Sequence, residues 1–154
     1  MPRNQLKWIL ISLPIYICVG IGAYLFYKPH RNVQATNAFA QLKVQEITKE
    51  FSSNAKMANA KYLSSDGNSK VLIVQGFVSN ISMNQANEKV IVLKDPWAKV
   101  GVSCTFTFLT SSHIKGVKAG DTIRIKGAIT AGNSYDAGLD LYNDAILVQC
   151  DIIK

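Results

Sequence analysis

From residue 70 onward the side chains alternate in character with a period of two, a pattern that only extended strands with one buried face can use. GVSCTFTF, residues 101–108, sets Val102, Cys104, Phe106 and Phe108 on one side and Gly101, Ser103, Thr105 and Thr107 on the other. Further along, Ile123, Ile125, Gly127 and Ile129 alternate with Thr122, Arg124, Lys126 and Ala128. Five such runs are expected, near 70–81, 89–94, 99–109, 121–131 and 139–152, separated by MNQANE, DPWA, SSHIKGVKAG and GNSYDAG. The gap between the third and fourth runs is too long for a hairpin turn and suits one short helical turn around His113, Ile114 and Lys115. With Gly76 and Gly127 placed where strands must bend sharply, the runs predict a small closed barrel over residues 70–154.

Ahead of the barrel the period is different. Residues 36–63 lack Gly and Pro, and Phe39, Leu42, Ile47, Phe51, Ala55, Ala58 and Tyr62 recur mostly every three or four positions. That spacing predicts an amphipathic helix, capped at Thr36 or Asn37, or a helix pair if Ser52, Ser53 and Asn54 interrupt it. SSDGNS, 64–69, reads as the loop that follows.

Residues 8–27, WILISLPIYICVGIGAYLFY, hold no charged side chain over 20 positions, enough at about 1.5 Å per residue to cross a hydrocarbon core of about 30 Å. A cleaved signal peptide with Val33 and Ala35 before its cleavage site is the competing reading. The run is longer than a signal core, and Lys28, His30 and Arg31 intervene, so an uncleaved transmembrane helix is expected. It divides the chain into a tail at 1–7, a span at 8–27 in contact with membrane lipid, and a linker at 28–35. Positive charge flanks the span on both sides, with a slight excess at the N-terminus, which favours an inner-membrane, single-pass protein with its N-terminus inside.

Seventeen Lys and Arg against ten Asp and Glu give a net charge of +7. Arg3, Lys7, Lys28 and Arg31 supply +4 of it without any acid, and thirteen basic against ten acidic residues leave +3 for 34–154. The basic excess therefore flanks the span, and the footprint expected of a phosphate-binding surface is weak.

The order of these elements resembles the tRNA anti-like, OB-fold-like domain family of bacterial membrane-anchored and lipoprotein-type proteins. The resemblance rests on Phe51, Asn54, Ala58 and Tyr62, then Val74-x-Gly76-x-Val78-x-x-Ile81, then Val102-x-Cys104-x-Phe106. It continues through Lys118-x-Gly120-Asp121-x-Ile123-x-Ile125-x-Gly127 and Leu147-x-x-Cys150. It implies an α+β soluble part, a helix or helix pair packed on a five-stranded OB-fold barrel, and it brings no catalytic residue with it. A shared fold hosts many functions, so function has to come from a site.

OB domains that hold nucleic acid expose aromatic side chains on the second and third strands within a basic groove. Here Phe106 and Phe108 share a phase with Val102 and Cys104, which turns both toward the barrel interior. Phe77, Trp97, Tyr135 and Tyr142 remain as candidate surface aromatics, with Lys94, Lys99, Arg124 and Lys126 as nearby cations; Trp97, Tyr142 and these four cations form the candidate binding set. Trp97 closing a barrel end is an equal alternative. Cys104 and Cys150 fall on neighbouring strands of an OB order and form either a disulfide or two buried thiols. Neither a zinc site nor a cysteine nucleophile fits their surroundings in the sequence, and Asp136, Asp140 and Asp144 read as solvated turn residues. No cofactor and no enzymatic activity are expected. The chain reads as a membrane-anchored binding or interaction module outside the cytoplasm, with an envelope protein, peptide or glycan as partner and single-stranded nucleic acid as the alternative.

Overall fold

The computed structural model describes residues 16–24 and 31–153, in two units divided after Arg31. Residues 16–24 are helical and carry Tyr16, Ile17, Val19, Ile21 and Tyr24 exposed. The remainder of the 8–27 span lies outside the described residues, and among those described no helix is long and apolar enough to cross a membrane.

The second unit begins with strand β1 (Ala40–Lys43) and two helices, α1 (Val44–Ser53) and α2 (Ala55–Tyr62). Strands β2 (Val71–Met83), β3 (Lys89–Leu93), β4 (Val102–Phe106) and β5 (Thr122–Ala131) follow, then a small hairpin of β6 (Ser134–Asp136) and β7 (Leu141–Asn143), and last β8 (Ala145–Ile153). A 3-10 turn, Ser111–Ile114, fills the expected place between β4 and β5. The barrel runs β2-β3-β4-β8-β5 and closes by pairing β5 with β2. All neighbours are antiparallel except β4 and β8, which are parallel. This is the strand order of an OB barrel.

The alternation does what the sequence expects of it in β4, where Val102, Cys104 and Phe106 are fully buried between half-buried Ser103 and Thr105. Phe108 is a correction. It lies past the end of the strand and is 91% exposed. The chain turns at Thr107, whose carbonyl accepts from the backbone N–H of both Thr110 and Ser111, and that turn releases Phe108 and Leu109 from the strand phase.

The core of β8 breaks period two in a way that the Leu147-x-x-Cys150 spacing records. Leu147 and Cys150 are three residues apart, yet both are fully buried. Gln149 between them adopts φ 51°, and the pairing with β4 jumps from Cys104↔Leu147 to Phe106↔Cys150. A β-bulge thus absorbs one residue and returns the next side chain to the interior.

The 36–63 segment corrects the sequence reading at its start and supports it in the middle. Residues 40–43 pair in parallel with Leu72–Gln75 instead of coiling, because the first half of β2 would otherwise present a bare edge on the side away from β5. The first cap accordingly lies not at Thr36 or Asn37 but at Lys43, whose backbone N–H donates to the Glu46 carboxylate at 2.6 Å. The break at Asn54 is present: its φ of −155° ends α1, and its side chain accepts from the Met57 N–H at 3.1 Å to start α2. Val44, Ile47 and Phe51 of α1 and Ala58 and Tyr62 of α2 then join the barrel core. The Phe51 and Tyr62 rings sit 5.8 Å apart.

Candidate functional site

Residues 132–144 read in the sequence as a connector and as the start of the last strand. In the structure they form the β6–β7 hairpin, with Ser134↔Asn143, Tyr135↔Tyr142 and Asp136↔Leu141 in register. The turn is held by Asp136, whose carboxylate accepts from the Gly138 and Leu139 N–H groups. Cross-strand pairing brings Tyr135 and Tyr142 to a centroid separation of 4.6 Å. The Tyr135 hydroxyl donates to Asp140 at 2.8 Å, and this bond to a carboxylate raises its pKa above the ordinary tyrosine value.

Lys99 reaches the hairpin from the loop between β3 and β4. Its ammonium donates to the Tyr142 hydroxyl at 3.2 Å and lies 5.0 Å from the ring centroid. Lys94 steadies that loop by donating to the Lys99 carbonyl at 3.0 Å, and the Asp144 carboxylate accepts from the Gly101 N–H at 2.7 Å. Between this loop, the hairpin and the C-terminal end of α1 lies an open cleft of about 600 Å³, lined by Phe51, Ser52, Lys99, Asn133, Tyr135 and Tyr142 among others. That volume falls within the range of small-ligand sites. Asn133 is 5% exposed; its amide N–H donates to Ser52 Oγ at 2.8 Å, and its carbonyl oxygen has no hydrogen-bond partner.

A family model, tRNA_anti-like, matches residues 1–146. The chain belongs to the tRNA_anti-like family. Among curated proteins no match is found. Nine chains of solved structures do match. One is a crystal structure of a lipoprotein from Klebsiella pneumoniae subsp. pneumoniae MGH 78578, provisionally described as nucleic acid-binding. It is 16% identical, with a TM-score of 0.54 over 75% of this chain and 92% of that one, a likeness of fold alone.

Within the tRNA_anti-like barrel the six candidate residues divide between surfaces. Lys94, Lys99 and Tyr142 come together as described. Trp97 stands in the same loop but is 96% exposed, so it does not close the barrel end. Arg124 borders a separate surface with Gln75, Thr122, Ile123, Ile152 and Ile153. Lys126 donates to the Gln34 carbonyl at 2.9 Å and so fastens the segment that precedes β1. The three acids of 136–144 each serve a different local partner. His113, unaccompanied in sequence, pairs through Nδ1 with Asp151 at 2.7 Å.

Cys104 and Cys150 are both buried and both free. Burial, and then the neighbouring Cys104 thiol, push the Cys150 pKa well up, so Cys150 is not set up as a thiolate nucleophile. Gly127 exists for this packing, since a Cβ there would stand 2.6 Å from Cys150 Sγ. With Cys18 changed to Ser, the native chain should therefore release no thionitrobenzoate from Ellman's reagent, and the unfolded chain two equivalents. A bridge would give none in either state.

Proposed function

We infer that the chain is a membrane-anchored binding module, and that its OB barrel faces the extracytoplasmic side and takes a ligand at the Lys99–Tyr135–Tyr142 cleft by binding rather than catalysis. The cleft carries this reading: a concave surface offers two phenol rings packed at a tilt of 36° and a cation held against one of them, with an unpartnered amide oxygen buried in its wall. The anchor is supported by the uncharged run at 8–27 and by the exposed apolar side chains of residues 16–24. That a protein of similar fold is described as a lipoprotein also supports it. Alkaline phosphatase fused to the C-terminus should be active, as an exported enzyme is, and a cytoplasmic reporter at the same point should be inactive. The reverse pattern overturns the orientation.

The second reading, single-stranded nucleic acid, draws on the nucleic acid-binding description of that lipoprotein and on Lys94, Lys99, Arg124 and Lys126. Its weakness is their distribution, because Arg124 and Lys126 do not border the cleft that Lys99 lines. Retention of oligonucleotide at low salt, with affinity falling steeply as salt rises, would favour it.

A further inference from the structure

The geometry points to a neutral sugar ring of a glycan as the ligand of the Tyr135 cleft, an assignment that rests on the binding reading above and narrows it. Charge is the first reason. From residue 127 to residue 153 the chain has no Lys or Arg but four aspartates, Asp136, Asp140, Asp144 and Asp151. Three of them belong to the hairpin and to the bend that leads out of it, which form one wall of the cleft. Among the described residues Lys99 is the one cation lining the cleft, and its ammonium is already engaged by the Tyr142 hydroxyl and ring. None of these carboxylates lines the cleft, and a chain of phosphates there would gain at most one ion pair, the opposite of the cationic groove that single-strand binding requires.

The shape of the polar groups is the second reason. Tyr135 is half exposed and its hydroxyl is committed to Asp140, so what it offers a ligand is ring surface. An apolar face of a pyranose packs on such a ring, with its C–H edges toward the negative π face. The Asn133 carbonyl is the acceptor without a donor, at 5% exposure in the wall beside Tyr135. A buried acceptor left unmade is costly, and a ligand hydroxyl or amide N–H would relieve that cost once the Asn133 side chain turns to face the cleft. A sugar brings an apolar face and hydroxyl donors together without net charge. Phe51 and Ala55 supply further apolar lining on the α1 and α2 side.

The test uses the full chain in a detergent without a sugar headgroup, titrated by calorimetry with chitotriose and, separately, with octauridylate. Saturable chitotriose binding is expected, with less than two-fold change between 50 and 300 mM salt. Tyr135→Ala should weaken it at least ten-fold, and Tyr135→Phe, which keeps the ring, should stay within three-fold. Both variants sit on an exposed hairpin and should unfold at the same temperature as the parent, which separates lost binding from lost fold. Absence of saturable chitotriose binding, or binding indifferent to Tyr135→Ala, overturns the sugar assignment. If octauridylate binds instead, in a salt-dependent way that Tyr135→Ala abolishes, the cleft stands as the binding site and its ligand is a nucleic acid. If neither probe binds, both the sugar assignment and the cleft reading fall.

Discussion

Replacing Phe106 by Ala should destabilise the soluble unit by about 3–5 kcal/mol, whereas Phe108→Ala should leave it within about 0.5 kcal/mol. The two residues are identical, two positions apart and in phase. What separates them is the end of β4. Phe106 is the last residue of the strand and is fully buried beside Ile91, Cys104, Leu147 and Cys150, a core drawn from β3, β4 and β8. Truncating it would remove a large apolar side chain and leave a cavity that rigid barrel walls cannot close. Phe108, past the Thr107 turn, has almost no buried surface to lose. Urea unfolding of the two variants, followed by circular dichroism, measures the difference directly. Equal losses would mean that β4 continues to Phe108 and that the turn at Thr107 does not form.

That contrast shows which parts of the fold are legible in the amino-acid order. Inward-facing residues of β4 and β5 follow from period two, because a barrel interior admits only one side of each strand. Where a strand stops is set by backbone hydrogen bonds formed after folding, and no side-chain pattern marks Phe108 as different from Phe106. Residues 40–43 make the same point from the other direction. Their composition suits a helix, and the unpaired edge of β2, thirty residues later in the chain, makes them a strand. The bulge at Gln149 was legible only as a spacing, Leu147-x-x-Cys150, whose physical meaning needs the partner strand.

The cleft was legible in part. Lys99, Tyr135 and Tyr142 are each recognisable as surface candidates in the sequence, but the pairing of Tyr135 with Tyr142 is assigned by the hairpin register, which the sequence presents as loop. A signal is present in retrospect: Tyr135 and Tyr142 flank Asp136-Ala-Gly-Leu-Asp140, turn-forming residues between two short runs. Asn133 carries no sequence signal, since its role depends on burial beside Ser52, 81 positions away. Arg124 and Lys126 were grouped with the others by charge alone, and the sheet sends them elsewhere.

The same cleft depends on how α1 docks, and Gly132 is where that docking can be tested. A Cβ on Gly132 would stand 2.0 Å from Phe51 Cδ1 and 2.2 Å from Cε1, closer than real atoms approach. The Phe51 ring has little room to retreat, being 2% exposed and packed against Tyr62. Gly132→Ala should therefore cost about 1–3 kcal/mol by overpacking. The backbone does not cause this cost, because Gly132 is not among the glycines with positive φ. In a chain that already carries Phe51→Ala, itself worth about 3–5 kcal/mol, the same Gly132→Ala change should be neutral or stabilising by up to about 1 kcal/mol, as removing a glycine restricts the unfolded chain. The double-mutant cycle measured by urea unfolding should thus give a coupling of at least about 1 kcal/mol. Additive effects would mean that Phe51 does not sit on Gly132. In that event α1 would be displaced from the mouth of the barrel, and the wall that Phe51 and Ser52 give the cleft would be lost with it.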